Sequence, residues 1–218
     1  MKKLSFMGEC MVELRSNQSS DTSLHQSFAG DVYNSAVYLK RCFSDVQVGF
    51  VTAVGNDTFS LSMKKNFEKE GLDTSLVFSN ENRSAGLYLI DTDDSGERSF
   101  TYWRSQSAAK TIMSFLNPEV LGALSESDMF MFSGISIAII PRDERPSFFR
   151  FIEALNYIDQ NLDQDLNLDK LSTYAYCSKY QMKISVAHSR RDSTSSYFRF
   201  QRARVSLKFV KAPFLTPH

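Results

Sequence analysis

Apolar and small residues alternate over Lys3–Glu13, which predicts an opening strand. A polar stretch, Ser16–Asp21, leads to Phe28-Ala29-Gly30-Asp31, and there the period changes. Val32, Ala36, Leu39 and Phe43 recur at helix spacing and would share one buried face. Val46–Val54 predicts a second strand, ended by the turn signature Gly55-Asn56-Asp57. Phe59, Met63 and Phe67 mark another amphipathic helix, stopped by Gly71 at a natural C-terminal position. Strand, helix, strand, helix is the order of an α/β chain. Residues 85–103 break that order. Ala85–Asp91 and Glu97–Trp103 read as two strands joined by Thr92-Asp93-Asp94-Ser95-Gly96, hence a hairpin, and a hairpin inserted in an α/β chain reads as a lid. On it Tyr88 and Ile90 share one face and Leu87 and Leu89 the other, while Phe100 and Tyr102 point together with Arg104 two positions on. Met129–Ile140 is a nearly continuous apolar run, expected as a central strand buried on both faces.

Beyond this run the pattern changes. Pro141, Arg142, Asp143, Glu144, Arg145 and Pro146 give 141–150 the look of a linker. Ile152, Leu155, Ile158 and Leu162 then mark one helix face; Asp163-Gln164-Asp165 breaks it, and Leu168–Ala175 begins a second helix. Tyr176-Cys177-Ser178 reads as a tight turn, with Ser178 capping a third helix. Charge divides the chain at about the same place. The formal net charge is zero, yet residues 182–218 hold 8 Lys/Arg against 1 Asp/Glu, behind an acidic front. A 42% hydrophobic content over 218 residues is enough for a sizeable core. No apolar run approaches the ~18 residues of a membrane span, and the start is too soon broken by Glu9 for a signal peptide, so the expected setting is cytoplasmic, with no membrane partner. The three cysteines (Cys10, Cys42, Cys177) and three histidines (His25, His188, His218) are scattered without metal-ligand spacing; reduced thiols and no metal site are expected.

Several motifs between residues 4 and 140 carry a specific resemblance. Gly8-Glu9-Cys10-Met11-Val12-Glu13-Leu14, Ala29-Gly30-Asp31-Val32-Tyr33-Asn34, Phe50–Gly55 and Glu70–Leu76 occur in order. Gly86–Ile90, Gly96–Arg104 with its Tyr102-Trp103-Arg104 run, and Ser133-Gly134-Ile135-Ser136 follow. This series resembles the first half of the 2-keto-3-deoxygluconate kinases of the PfkB/ribokinase-like carbohydrate kinase family. The resemblance implies an α/β fold: a partial ribokinase-like sheet with a β-hairpin lid, followed here by a small all-α C-terminal segment. It also implies a sugar-acid site at Gly30, Asp31, Asn34, Tyr88, Tyr102 and Arg104. The residue chemistry suits that role. Asp31 and Asn34 lie one helical turn apart and can hold sugar hydroxyls, beside Gly30, where backbone can approach a ligand. Arg104 offers a planar fork for a carboxylate, and the two tyrosines an apolar wall with polar tips. Each has a plainer reading: Gly30-Asp31 as a helix cap, Tyr88 and Tyr102 as cross-strand packing partners, Arg104 as a solvated cation.

An intact member of the family uses ATP and Mg, handled by a glycine-rich Gly-Asp motif in its second half, where amides at a helix start form an anion hole. This chain has a single Gly-Asp pair, Gly30-Asp31, on the substrate side, and its last glycine is Gly134. No cofactor and no catalytic residue are therefore expected in it. Phe151–Tyr180 in turn resembles the start of the helix-turn-helix region of AraC-type transcription regulators, and Tyr197–Phe209 faintly their linking helix. That resemblance would place weak DNA contacts at Ser178, Lys179 and Lys183. The organisation expected is a kinase-like half over 1–140, a junction over 141–150 and an incomplete AraC-like segment over 151–218. Three readings stand: an inactive kinase half that still binds 2-keto-3-deoxygluconate, a DNA-associated regulator fragment, and a decayed fusion product without stable function. Exposed strand edges make a homodimer through the lid hairpin the expected assembly.

Overall fold

Alternation along the first strand sends Phe6 to one side and Met7 to the other, and both are almost fully buried. The strand is therefore covered on two faces, and the fold is built outward from it. The computed structural model describes residues 1–16, 23–93 and 95–161. Its strands are β1 (Lys3–Met7), β2 (Met11–Ser16), β3 (Leu24–Ala29), β4 (Gln47–Val54), β5 (Val77–Ser79), β6 (Gly86–Thr92), β7 (Arg98–Trp103) and β8 (Met129–Phe132). Its helices are α1 (Asp31–Cys42), α2 (Thr58–Lys69), α3 (Pro118–Ser125), α4 (Gly134–Ile139) and α5 (Arg145–Gln160), with a 3₁₀ helix at Ala108–Ser114.

A parallel sheet runs in the order β5-β4-β1-β8. On one face Phe6, Val48 and Phe50 pack with Val32, Tyr33 and Ala36 of α1 and Met63 and Phe67 of α2. Here Phe50 and Phe67 meet edge to face with centroids 5.1 Å apart. On the other face Met7, Val51 and Phe130 pack with Leu121 and Leu124 of α3 and Phe148, Phe151 and Leu155 of α5. A second sheet runs β3-β2-β6-β7, with β2 parallel to β6 and the other pairs antiparallel. Its Val12, Leu14, Phe28 and Leu87 lean on the α1–α2 core, and its other face carries Met11, Tyr88 and Ile90.

The α/β class, the first two helices and the hairpin follow the sequence reading. At Gly71, φ is +75°, and Leu72 N–H donates to the Phe67 carbonyl at 3.0 Å, so the expected glycine stop after α2 is a Schellman turn. Other expectations change. Lys3–Glu13 is not one strand but two, because the chain leaves the parallel sheet at Gly8-Glu9-Cys10 and enters the second sheet at Met11. The apolar run Met129–Ile140 is likewise split: β8 ends at Phe132, and Ser133 opens α4 by accepting from Ser136 N–H at 3.0 Å in a capping box. Among the described strands β8 lies at the sheet's edge, not at its centre. Helix α5 begins at Arg145, inside the stretch 141–150. Pro146 stands in the first turn of α5, where its missing N–H costs nothing, and Phe148 is fully buried. Phe43 and Phe59, expected on buried helix faces, are 57% and 41% exposed.

Asp57 caps α2, accepting from Ser60 N–H at 3.0 Å and Ser60 Oγ at 2.7 Å. Burial alone would raise its carboxyl, but these hydrogen bonds outweigh that and hold it below the usual carboxylate range. Asp57→Ala is expected to cost about 1 kcal/mol in urea unfolding at neutral pH. Since the folded-state value is the depressed one, the difference between wild type and variant shrinks as pH falls through it. A difference unchanged in acid would show that the cap acts without its charge.

Candidate active site

Four chain segments meet where β1 ends. Gly8-Glu9-Cys10 crosses between the sheets; Gly30 joins β3 to α1; Gly86 begins β6; Arg104 follows β7. Strand register makes the meeting necessary. Met11 pairs with Ala29 on one side and Gly86 on the other, and Leu87 pairs with Trp103, so the positions flanking these pairs form one row across the end of the second sheet.

Glu9 is at the centre of the row, and the sequence reading passed over it. Its side chain is 2% exposed, and its Oε2 accepts from Nη2 of Arg104. The other carboxylate oxygen, Oε1, is buried without a hydrogen-bond partner. Two glycines make room for this residue. An added Cβ at Gly30 would stand 2.1 Å from the Glu9 carbonyl oxygen, and one at Gly86 would stand 2.7 Å from Oε1. The backbone that approaches Gly30 so closely is thus the protein's own. Burial first, and the neighbouring Glu9 second, push the Cys10 thiol well up, which keeps it protonated and unreactive at neutral pH.

The expected site residues divide into three groups. Gly30 and Arg104 are brought together through Glu9. Asp31 and Asn34 occupy the first turn of α1 with exposed side chains, and no side-chain cap closes that helix start, so Asp31 is not acting as a cap. Tyr88 and Tyr102 pair directly across the hairpin, stacked at 5.6 Å between centroids. The Tyr88 hydroxyl is already engaged, donating to the Glu13 carboxylate, which also accepts from Ser27 Oγ at 3.0 Å and Arg15 Nε at 2.8 Å. Burial would raise Glu13, but the bonds from Tyr88, Ser27 and Arg15 hold it below its ordinary value. Burial and the bond to Glu13 push the Tyr88 phenol up in turn. Tyr88 therefore supplies a wall, while its hydroxyl hydrogen is committed within the sheet; Tyr102 is 52% exposed. Ser178, Lys179 and Lys183 lie outside the described residues.

Two clefts bear on the assignment. The larger, about 590 Å³, runs between Arg83, Lys110, Arg142 and Arg145 and contains none of the expected site residues. The smaller, about 470 Å³, is lined by Tyr102, Trp103, Arg104 and Ser107, whose buried Oγ also has no partner. Of these two clefts the smaller is the one lined by Arg104, and the candidate site lies there. Among the described residues, no three His, Cys, Asp or Glu side chains converge on a point that could hold a metal ion. No described helix is long and apolar enough to cross a membrane.

Residues 1–182 match the profile of the pfkB family carbohydrate kinases. The 2-dehydro-3-deoxygluconokinase of Haemophilus influenzae is 40% identical over 158 residues, covering 71% of this chain and 50% of that protein. The enzyme of that name from Escherichia coli K12 is 41% identical over 147 residues, 66% of this chain and 47% of its own. The crystal structure of 2-dehydro-3-deoxygluconokinase from Thermotoga maritima superposes with a TM-score of 0.61 at 21% identity, over 73% of this chain and 48% of that one. The chain spans about half the length of the curated relatives it matches.

Proposed function

Because the chain belongs to the pfkB family of carbohydrate kinases, we propose that it carries a sugar-acid site of the 2-dehydro-3-deoxygluconate type without the means to transfer phosphate. The observation that supports this reading is Arg104, a guanidinium anchored on Glu9 and 24% exposed at a cleft it shares with Tyr102. A planar cation held at one edge and open at another suits a ligand carboxylate. Asp31 and Asn34, exposed on the first turn of α1, have the chemistry to hold hydroxyl groups but do not line this cleft.

ATP and Mg are what the family uses, and the described residues do not fit them. No acidic cluster converges, and the space beside Gly30 is filled by the Glu9 carbonyl.

Thermal unfolding with and without 2-keto-3-deoxygluconate tests the binding half of the reading. Ligand at about 100 times Kd is expected to add roughly 2.7 kcal/mol, with no comparable effect of fructose. Incubation with ATP, Mg and the sugar acid is expected to give no phosphorylated product above background. A ligand-blind transition would remove the sugar-acid reading, and turnover would remove the inactive one.

A further inference from the structure

We propose that Glu9 is a positioning residue: it holds one edge of the Arg104 guanidinium so that the remaining edge faces the carboxylate of the bound sugar acid. The inference rests on the sugar-acid reading for its ligand, but its geometry is independent of it.

The Glu9–Arg104 pair is poorly explained as a stabilising device. A buried ion pair recovers its desolvation cost only when both partners are well hydrogen-bonded, and here Oε1 of Glu9 has none. Apolar side chains of similar size would serve stability at least as well. Instead two glycines are spent on accommodating the acid, Gly86 against its carboxylate and Gly30 against its backbone. The pair also joins distant parts of the chain. Glu9 sits on the crossover from the parallel sheet, and Arg104 follows the last hairpin strand, 95 positions on. Fixing this arginine fixes the end of the hairpin against the carboxyl end of β1.

The division of the guanidinium is the functional point. Nη2 gives a hydrogen to Glu9, and the guanidinium's second edge is left for a ligand. Arginine loses much side-chain freedom when it clamps a ligand, so a guanidinium already held at one edge binds with less loss. A merely solvated arginine would need no buried acid behind it.

The decisive variant is Glu9→Asp, which keeps every charge and withdraws the carboxylate by one methylene. The probes are 2-keto-3-deoxygluconate and its C1 methyl ester, which lacks the negative charge. Positioning predicts that Glu9→Asp lowers the affinity ratio of acid to ester by about tenfold. A purely structural role would weaken both probes alike and would overturn the proposal. So would tighter acid binding by Glu9→Gln, since Glu9 would then be a competitor for Arg104. A second readout needs no ligand: the side-chain Nε–H signal of Arg104 in arginine-labelled protein, assigned with Arg104→Lys. It is expected to be ordered in wild type and to lose order in Glu9→Asp. If wild type binds neither probe yet the signal behaves in this way, the positioning stands and the sugar-acid reading falls. An Arg104 signal unchanged by the substitution overturns the positioning. Should Glu9→Asp fail to fold, Gly86→Ala crowds the pair with all charges retained, its Cβ standing 2.7 Å from Glu9 Oε1 and 3.3 Å from Arg104 Cβ.

Discussion

Phe148→Ala is expected to destabilise the chain by about 3–5 kcal/mol, the usual loss for emptying a large aromatic site in a core. Phe148 has no exposed surface and meets Phe132 of β8 edge to face, with centroids 5.1 Å apart. It belongs to the cluster that includes Met7 of β1 and Val51 of β4, so the cavity would open directly beneath the parallel sheet. Total stabilities of small domains are about 5–15 kcal/mol, and a loss of this size would bring partial unfolding within reach at room temperature. The measurement is urea unfolding followed by far-ultraviolet circular dichroism. The only tryptophan, Trp103, is 56% exposed on the hairpin and would report poorly on this core. A lower midpoint at unchanged slope is expected, with a much smaller effect from Phe149→Ala, whose ring is 45% exposed. The result also bears on how the chain is organised. If α5 were an appendage to the kinase-like half, removing Phe148 would leave the main transition where it was.

The position of α5 is one place where the sequence misleads, and the cause is specific. Arg142, Asp143, Glu144, Arg145 and Pro146 resemble a linker in composition, but charged residues and an early proline are also how a helix begins. What decides is the spacing that follows. Phe148, Phe151, Ile152, Leu155 and Ile158 continue one apolar face across the supposed boundary, and all are buried. Met129–Ile140 fails for another reason. An unbroken apolar run does not distinguish strand from helix, and only the Ser133-x-x-Ser136 cap inside it marks the change. Strand β3 was invisible because Leu-His-Gln-Ser-Phe-Ala has no apolar alternation; its place comes from pairing with β2. By contrast α1, α2 and β6 were legible because each buries one face at its own period, and β7, exposed at every position, was legible from the turn-rich connection that joins it to β6. The candidate site is legible in part. Asp31, Asn34, Tyr102 and Arg104 carry recognisable chemistry, whereas Glu9 looks like any acid after a strand until Arg104 arrives from 95 residues away.

Gly30→Ala is expected to cost about 1–3 kcal/mol and to abolish ligand binding as well. The new methyl would sit 2.1 Å from the Glu9 carbonyl oxygen and 3.2 Å from its carbon, and both are backbone atoms that cannot rotate aside. The cost is steric rather than conformational, because Gly30 has φ 178° and ψ 151°, extended values that any residue adopts. Two other glycines separate these causes. Gly122 lies within α3 with nothing within 4 Å of an added Cβ, so Gly122→Ala should stabilise by about 0.5–1 kcal/mol through helix propensity. Gly96 is equally unobstructed but has φ +83°, so Gly96→Ala should carry only the left-handed penalty, about 1–2 kcal/mol. Unfolding midpoints of the three variants, measured together with binding of 2-keto-3-deoxygluconate, test the assignment. If Gly30 were small only to admit a ligand, Gly30→Ala would unfold like wild type and lose binding alone. If it is small to admit Glu9, stability and binding fall together, because moving the Glu9 backbone also moves the carboxylate that holds Arg104.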